Sequence, residues 1–363
     1  MSMSEDPFVE NCWYVAAWAS DIKEGDKFKR VLLEKPVVIF KGESGRYVAL
    51  EDRCCHRGAP LALGRIEGDC LRCMYHGMKY DHNGICVEIP GQDKISDVHR
   101  VHSYPIEERG GLLWIWMGDP DLADQQKILD FPYLSDPDWK GHTERSYLHY
   151  DANWMLIVDN LADFSHLAFV HTNTLGGSED YASESKETVY KLEDGFRMER
   201  WHLRSAPAPF HKKVFPNGPD PVDRINDVTI RIPGVMFMET SFGPVGWNPE
   251  GDREGVIKYA NCQFMTPETR STTHFFWDYL HNYDSNIEDI SASLKASLVA
   301  GFMEDKIFIE EQQKYLTQYG RFQPRGLASD RALAHYRNVW NKRLEAERLA
   351  YPPDNSPIKN AVL

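Results

Sequence analysis

The stretch that decides the fold is residues 54–77, CCHRGAPLALGRIEGDCLRCMYHG, which holds four of the seven cysteines of a 363-residue chain. Its spacing is C-x-H-x16-C-x-x-H, with potential metal ligands at Cys54, His56, Cys73 and His76. Each half supplies one thiolate and one imidazole. Such a set suits a structural zinc ion, or a [2Fe–2S] cluster in which two Cys bind one iron and two His the other.

The residues around these donors favour the cluster. A glycine follows each half, at Gly58 and Gly77, and lets a tight loop approach a sulfide-bridged cluster closely. Runs rich in β-branched residues flank the loops, as two cluster-binding loops on a small β-domain require. A Cys2His2 zinc finger would instead place both histidines on a helix. We therefore expect a Rieske-type cluster, with a zinc-stabilised binding module as the alternative.

The rest of the chain divides into two regions. Residues 1–125 contain short β-branched runs such as VLLEKPVVIFKG and RYVALED, and an N-G hairpin signal. The polar stretch DPDLADQQKILDFPYLSDPDWKGH, with its prolines, indicates a boundary. Residues 126–363 combine longer strands with helical patterns from Asn286 to Tyr319 and from Asp330 to Tyr351. The sequence thus predicts an all-β domain over 1–125 and an α+β domain over 126–363.

The composition excludes several classes of protein. Asp and Glu outnumber Lys and Arg by 55 to 41, and the net charge of −14 argues against a nucleic-acid partner. No apolar run is long enough to span a bilayer, and the acidic start MSMSEDPFVEN lacks the features of a signal peptide. We expect a cytoplasmic protein with no membrane partner. In a reducing cytosol, crowded Cys and His indicate a metal rather than disulfides.

A second group of potential ligands lies in DNLADFSHLAFVH, on a segment predicted to be helical from about Asp159 or Asn160. Asp163 and His166 are three residues apart and would share a helix face. His166 and His171 would lie about 140° apart on an ideal helix, so they bind one ion only if the helix bulges or ends between them. Two His and one carboxylate are typical of mononuclear Fe(II) oxygenases. The alternative is an amphipathic helix with satisfied core histidines.

The carboxylate is predicted from SLKASLVAGFMEDKIFIEEQQKYL, where apolar residues follow helical spacing. Asp305 falls within the apolar stripe, and a buried carboxylate requires a cation partner. Glu304 is displaced by about 100° and is the weaker candidate, so its removal is expected to leave activity intact. The alternative for Asp305 is a helix-surface acid near Lys306 or Lys295.

Taken in order, these motifs resemble those of the Rieske non-heme iron oxygenases. C-x-H-R-G and C-x-Y-H-G are similar to the Rieske motif of that family, and D-x-x-H-x4-H and E-D-K-x3-E-x-Q-Q follow it. Respiratory-chain Rieske proteins carry an extra Cys in each loop, where this chain has Ala59 and Tyr75. The resemblance covers nearly the whole chain. It is greatest to the subgroup that includes vanillate O-demethylase oxygenase, dicamba O-demethylase and toluenesulfonate methyl-monooxygenase.

The resemblance implies an N-terminal all-β Rieske [2Fe–2S] domain and a C-terminal α+β catalytic domain of helix-grip-like type with an antiparallel sheet. It implies that mononuclear Fe(II) is bound by His166, His171 and Asp305. Asp163 would connect the two metal centres, and Asn160 would lie near the iron without firm ligation. It also implies a homotrimer in which one subunit's cluster lies near its neighbour's iron.

The function implied is the terminal oxygenase component of a two-component Rieske monooxygenase with O2 as co-substrate. The chain has no G-x-G-x-x-G after a strand, so electrons are expected from a separate NAD(P)H-dependent reductase, with or without a ferredoxin. Hydroxylation of a methyl group on oxygen or nitrogen of a small aromatic substrate would lead to demethylation. Ring cis-dihydroxylation and methyl hydroxylation are alternatives, and a non-catalytic Rieske electron-transfer protein is an alternative of another class.

The sequence does not name the substrate. The candidate contact is His274, in the apolar run T-T-H-F-F-W, whose imidazole would hydrogen-bond a substrate carboxylate or ether. A satisfied core histidine is the alternative.

Overall fold

The computed structural model describes residues 8–139, 146–176, 185–249, 251, 255–281, 290–320 and 324–350. Within these ranges, the sheets of the N-terminal region share no strand with the sheet of the C-terminal region. The predicted all-β N-terminal domain and α+β C-terminal domain with an antiparallel sheet are confirmed. The boundary predicted between residues 125 and 126 falls inside a 3-10 turn, Gln125–Lys127, and stays a prediction.

The N-terminal region consists of short antiparallel strands. They are β1 (Trp13–Trp18), β2 (Lys27–Leu32), β3 (Lys35–Lys41), β4 (Tyr47–Glu51), β5 (Arg65–Glu67), β6 (Cys70–Arg72), β7 (Lys79–Tyr80), β8 (Cys86–Glu88), β9 (Ser103–Tyr104), β10 (Ile106–Arg109) and β11 (Leu112–Trp116). Three sheets result, with the orders β1-β11-β10, β2-β3-β4-β9 and β5-β6-β7-β8. The last of these carries the second cysteine–histidine loop.

The C-terminal region is a seven-stranded antiparallel sheet covered by helices. Its strands are β12 (Ser146–Tyr150), β13 (Lys186–Leu192), β14 (Gly195–Ser205), β15 (Val222–Arg231), β16 (Val235–Pro244), β17 (Ile257–Thr269) and β18 (Thr272–His281). Their order is β12-β18-β17-β16-β15-β14-β13. The helices are α1 (Trp154–Ala162), α2 (Leu167–Val170), α3 (Pro209–Val214), α4 (Ile290–Tyr319) and α5 (Arg331–Ala350).

The centre of this sheet is buried on both faces. On one face, Trp277 packs edge-on against Phe302 of α4, with ring centroids 5.0 Å apart. On the other face, Phe264 packs edge-on against Trp114 of the β1-β11-β10 sheet, with centroids 5.5 Å apart. Strands buried on both faces read as continuous apolar runs, which explains the H-F-F-W sequence of β18. The N-terminal domain thus covers the sheet face opposite the helices.

Helix α4 lies on the sheet with the predicted apolar stripe inward. Leu298, Phe302 and Ile309 are buried, and Asp305, on the same stripe, is 5% exposed. The helix-surface alternative for Asp305 is therefore wrong. None of the described helices combines the length and apolar character that crossing a membrane requires.

Candidate metal centres and substrate cavity

The two cysteine–histidine loops share one backbone design. In each, the glycine N–H donates to the carbonyl of the cysteine four residues earlier. The cysteine N–H in turn donates to the carbonyl of the residue after the glycine. The glycine bonds run from Gly58 N to Cys54 O and from Gly77 N to Cys73 O, both at 2.9 Å. The cysteine bonds run from Cys54 N to Ala59 O and from Cys73 N to Met78 O, both at 2.8 Å.

Both loop glycines adopt a left-handed backbone, with φ of +69° at Gly58 and +81° at Gly77. Residues with a side chain rarely adopt this conformation. A Cβ on Gly77 would lie 2.6 Å from Cγ of Pro90, whereas a Cβ on Gly58 would meet nothing closer than 3.7 Å. The second loop is therefore the more tightly packed of the two.

The loops bring the four predicted donors together, with the sulfurs inward and the imidazoles outward. Cys54 and Cys73 are buried, whereas His56 and His76 are exposed. The two imidazole centroids lie 4.5 Å apart in an edge-to-face arrangement. The histidine edge is thus the side of this site that a partner can reach.

The sulfur atoms lie among hydrogen-bond donors. Tyr80 Oη lies 3.1 Å from Cys54 Sγ, and the backbone N–H groups of Tyr75 and His76 donate to the Cys73 sulfur. Burial raises the pKa of the Cys73 thiol, while these two N–H groups lower it. Hydrogen bonds to the sulfurs are among the features that tune protein-bound iron–sulfur clusters.

The separation of the donors distinguishes a cluster from a single ion. Among the described residues, one group of three His, Cys, Asp or Glu side chains has its donor atoms within 4.8 Å of one another, and that group lies in the C-terminal domain. No three of the four loop donors are therefore that close together. A tetrahedral zinc ion, with bonds of about 2.0–2.3 Å, would draw the four loop donors closer than that. The four donors fit two irons that take two protein ligands each.

In the C-terminal domain, α1 begins earlier than the expected start near Asp159. Asn153 is its N-cap, because the Asn153 side chain accepts a hydrogen bond from Met155 N at 2.9 Å. Asparagine is among the strongest N-cap residues, so the helix begins at Trp154. Asp159 consequently lies within the helix, where it pairs with Arg337 of α5.

The helical segment is broken at two points, Asp163 and His171. Asp163 adopts an extended conformation (φ −124°, ψ 100°) that terminates α1, and its side chain accepts from Ser165 N at 2.8 Å to cap a 3-10 turn, Phe164–His166. Helix α2 follows and ends at His171, whose φ and ψ are −108° and 33°. The two breaks meet the condition for both histidines to face one ion. They also mean that Asp163 and His166 do not share a regular helix face, which corrects the sequence expectation.

The breaks bring His166, His171 and Asp305 together. Asp305 Oδ1 lies 3.4 Å from His166 Nε2 and 3.0 Å from His171 Nε2. The same oxygen accepts a hydrogen bond from Asn160 Nδ2 at 3.0 Å. His171 is fully buried. This is the group of three donors within 4.8 Å of one another.

Both imidazoles are oriented through Nδ1. His166 Nδ1 lies 2.5 Å from the Asp163 carbonyl oxygen, and His171 Nδ1 lies 2.7 Å from Glu304 Oε2. Because both Nδ1 atoms face oxygen acceptors, they carry the protons and both Nε2 atoms present lone pairs. His171 Nε2 is buried without a hydrogen bond although it faces the Asp305 carboxylate. Two acceptors in contact repel each other unless a cation lies between them, so the donor set fits a metal ion.

The electrostatics of Asp305 agree with this geometry. Burial alone would raise the pKa of its carboxyl, but the two histidines beside it lower that pKa to about 2. The carboxylate is therefore ionised at every physiological pH and available as a ligand.

Glu304 has a role that the sequence did not predict. Its Oε2 accepts from His171 Nδ1 and, at 2.7 Å, from Thr174 Oγ1. The expectation that Glu304 is dispensable is not supported, because the carboxylate selects the tautomer of a candidate ligand. A metal-binding histidine usually donates its other nitrogen to a carboxylate or carbonyl. That rule was the signal that would have identified Glu304 beside Asp305.

Asp163 lies at the edge of this group. Its carboxylate accepts from Ser165 N and, at 3.1 Å, from Ser329 Oγ. Its backbone carbonyl orients His166. Asp163 as a whole is partly exposed.

A cavity opens beside the three donors. It contains about 720 Å³ of empty space, a volume that includes open solvent at its mouth. Its apolar lining comprises Leu161, Phe164, Leu298, Phe302, Met236 and Met238. Polar side chains from the sheet line it as well, among them Arg224, Asn226, Asn261 and Gln263.

The structure does not bring His274 to this cavity. Side chains alternate along β18, so His274 lies on the opposite face from Phe275 and points to the N-terminal domain. His274 Nε2 lies 3.0 Å from the Val31 carbonyl oxygen, and Nδ1 lies 2.8 Å from the Tyr147 hydroxyl. The core-histidine alternative describes its position, and contact with a substrate in this cavity is not supported.

Comparison with known proteins matches both halves of the chain. Residues 12–105 match the Rieske [2Fe–2S] domain, and residues 150–346 match the vanillate O-demethylase oxygenase C-terminal domain. The iron–sulfur subunit of the toluene-4-sulfonate monooxygenase system of Comamonas testosteroni is 39% identical over 94% of this chain and 98% of that protein.

The oxygenase component of dicamba O-demethylase from Stenotrophomonas maltophilia is 31% identical over 90% of this chain and 94% of that protein. The crystal structure of dicamba monooxygenase bound to 3,6-dichlorosalicylic acid superposes with a TM-score of 0.85 at 29% identity. That match covers 94% of this chain and 98% of the other. The similarity extends over both domains.

Proposed function

The chain belongs to the Rieske non-heme iron oxygenase family, and we propose that it demethylates a small aromatic compound at an oxygen or nitrogen atom. Its cofactors are a Rieske [2Fe–2S] cluster and a mononuclear iron, and O2 is its co-substrate. A non-catalytic electron carrier is thereby excluded. The support for demethylation is the C-terminal domain, which is shared with vanillate O-demethylase oxygenase.

The observation that carries the proposal is the donor set beside the cavity. Two imidazole Nε2 atoms and one carboxylate face each other at 3.0–3.4 Å, next to a space lined by apolar side chains. We assign the iron to His166, His171 and Asp305, and the cluster to the four loop donors. Iron bound by a triad of this kind would keep coordination positions open, and there it would activate O2 beside the substrate.

The remaining residues hold this arrangement. Asn160 donates to Asp305 Oδ1 and keeps the carboxylate oriented, while Glu304 and the Asp163 carbonyl fix the imidazoles. The apolar lining binds the aromatic ring and limits the access of water. The net reaction adds one atom of O2 to the methyl carbon, and two electrons and two protons convert the other atom to water. The resulting hemiacetal or hemiaminal releases formaldehyde and the demethylated product.

Electrons come from a separate partner, as in other oxygenase components. We propose that the protein is cytoplasmic and forms a homotrimer, and that an NAD(P)H-dependent reductase, with or without a ferredoxin, supplies its electrons. In the trimer, the Asp163 carboxylate would accept a hydrogen bond from a cluster histidine of the adjacent subunit, His76 being the candidate. The exposure of the imidazoles and the partial exposure of Asp163 are compatible with such a contact.

The test is a formaldehyde-release screen with purified protein and a surrogate reductase, using methoxylated and N-methylated aromatic compounds. We expect one formaldehyde per demethylated product with at least one compound, and none with the Asp305→Ala variant. Methyl hydroxylation is the second candidate, because one relative is named for toluene-4-sulfonate, which has no methyl on oxygen or nitrogen. A hydroxymethyl product without formaldehyde would favour it, and a cis-diol would indicate ring dihydroxylation.

A further inference from the structure

We propose that His211 is a specificity-determining residue of the cavity, and that its imidazole forms a hydrogen bond with a neutral hydroxyl group on the aromatic substrate. This inference rests on the proposed function and names the substrate class of the same cavity. It assigns to His211 the contact with a polar substituent that the sequence predicted for His274, which lies outside the cavity.

Helix α3 holds His211 beside the cavity. The helix begins at Pro209, and Phe210 N donates to the carbonyl of Thr174 at 3.3 Å, in the segment that follows the candidate ligand His171. His211 lines the cavity together with Phe210, and it is 2% exposed. The side chain is therefore shielded from bulk solvent but borders the space that a ligand would occupy.

Two neighbours fix the orientation of the imidazole. One face of the ring stacks on Phe242, with ring centroids 4.0 Å apart and an interplanar angle of 13°. His211 Nε2 lies 3.2 Å from the hydroxyl oxygen of Tyr259, which also lines the cavity. A single ring carbon separates Nδ1 from Nε2, so the nitrogen-bearing side of the ring is the side turned toward Tyr259.

A second cavity also adjoins His211. Pro207, Phe215 and Phe242 are among its lining residues, and Tyr259 is not. Tyr259 lines only the cavity beside the metal donors. Because the ring nitrogens lie on the Tyr259 side of the imidazole, we expect Nδ1 to face that cavity.

The Nδ1 atom of His211 has no hydrogen-bond partner among the described residues, although it is buried. Leaving a buried polar atom unpaired is unfavourable, and the great majority of such atoms in native proteins have a partner in the protein or in an ordered molecule. A substrate group in the cavity would supply the missing hydrogen bond to Nδ1.

The charge state of the imidazole selects the class of substrate group. Burial lowers the pKa of His211 to about 3, so the ring is neutral at neutral pH. In a neutral imidazole one nitrogen donates and the other accepts, and the direction of the bond between Nε2 and Tyr259 decides which role Nδ1 has. A hydroxyl group both donates and accepts, so it pairs with Nδ1 in either case. A carboxylate pairs with only one tautomer and gains no opposite charge from a neutral ring.

The experiment measures equilibrium binding to the full-length holoprotein by calorimetry, without a reductase, so that no turnover occurs. The matched probes are 4-methoxyphenol and 4-methylanisole, which differ only in a hydroxyl and a methyl group of similar size. The anionic probe is 4-methoxybenzoate. Iron and cluster content of each variant is measured first, so that only correctly assembled protein is compared.

The variants separate the two ring nitrogens. His211→Phe keeps a ring that can stack on Phe242 but removes both nitrogens. His211→Asn places an amide near the position of Nδ1, whereas His211→Gln places one near Nε2, where Tyr259 is the partner. His335→Phe is the control, because His335 lies on α5 and does not line the cavity.

We expect the wild type and His335→Phe to bind 4-methoxyphenol about tenfold more tightly than 4-methylanisole, because the methyl compound leaves a buried nitrogen unpaired. His211→Phe and His211→Gln should lose this preference while binding 4-methylanisole within about threefold of wild type, since no hydrogen bond to that compound is removed. His211→Asn should retain part of the preference.

Equal binding of the matched probes by the wild type, or binding of neither, would overturn the proposal. A preference that survives in both His211→Phe and His211→Gln would also overturn it. If only the binding of 4-methoxybenzoate depended on His211, the recognised group would be an anion and the proposal would be wrong. Recognition of the hydroxyl by His211 without formaldehyde release in the screen would leave this contact standing and reject demethylation.

Discussion

The cysteine–histidine loops and the His166–His171–Asp305 group differ in exposure and in the forces that shape them. The loops expose their imidazoles and are held by backbone hydrogen bonds between residues at most five positions apart. The second group is largely buried, and its side chains are oriented by contacts between α1, α2 and α4. A site that delivers electrons has to be reachable, whereas a site that activates O2 has to exclude water. From this difference we expect that the two sites can be disrupted independently.

The largest expected effect comes from Asp305→Ala, which removes the carboxylate that both Nε2 atoms face. We expect the mononuclear iron to be lost and activity to fall to background, while the cluster stays intact because its ligands lie in the other domain. Iron and sulfide analysis, with electron paramagnetic resonance of the reduced protein, measures both. Glu311→Ala is the control, since Glu311 is an exposed acid on the same helix. Loss of the cluster signal in Asp305→Ala would show that the sites are not independent.

The second variant tests the connection between the sites. Asp163→Asn keeps a side-chain oxygen that caps Ser165 but removes the negative charge. We expect both metals and the oligomer to be retained, normal reduction of the cluster, and transfer to the iron slowed by orders of magnitude. Stopped-flow reoxidation of the pre-reduced cluster, with O2 and substrate present, is the measurement.

Ser329→Ala serves as the matched control, because it removes the hydrogen bond from Ser329 Oγ to the Asp163 carboxylate and keeps the negative charge. If this variant is as slow as Asp163→Asn, the intrachain contact explains the defect. Reoxidation of Asp163→Asn at the wild-type rate would make Asp163 a simple helix cap.

An intermediate effect is expected from Glu304→Ala, because His171 loses the acceptor that fixes its tautomer. Removing such a partner lowers metal affinity by about 10- to 100-fold. Iron retention during dialysis against a chelator is the measurement, and the cluster spectrum should not change. Thr174→Val removes the other hydrogen bond to the same oxygen without touching His171, so its effect should be smaller. Unchanged iron retention in Glu304→Ala would restore the expectation that Glu304 is dispensable.

The smallest effects compare the two loops. Gly58→Ala and Gly77→Ala each force alanine into a left-handed backbone, at a cost of about 1–2 kcal/mol. Gly77→Ala should cost more, because its Cβ would also clash with Pro90. The free energies of unfolding of the two variants are compared by chemical denaturation, followed through the cluster absorbance. Activity at low denaturant concentration serves as the internal reference for the iron site. Equal destabilisation would mean that Pro90 moves aside easily.

The sequence was sufficient to predict a group of potential ligands wherever the donors are close together along the chain. The proximity of Cys54, His56, Cys73 and His76 could be predicted because two short loops with glycines leave little choice of conformation. The predicted burial of Asp305 is confirmed for a related reason, since the helical period fixes which residues of α4 face inward, and its role as a ligand stays a prediction.

The tertiary structure decided those features of the site that depend on contacts between segments distant in the sequence. Local spacing does not encode three features of the site. These are the helix breaks that turn His166 and His171 toward one point, the contact of Glu304 with His171, and the packing of His274 against the N-terminal domain. The cavity is the clearest case, since Arg224 reaches it from β15 while the metal donors come from the helices. Periodicity indicates which residues of an element are buried, but which element lies opposite depends on how the sheet and helices pack. The sequence alone therefore determined the family and predicted a set of metal donors, and packing determined which side chains line the cavity.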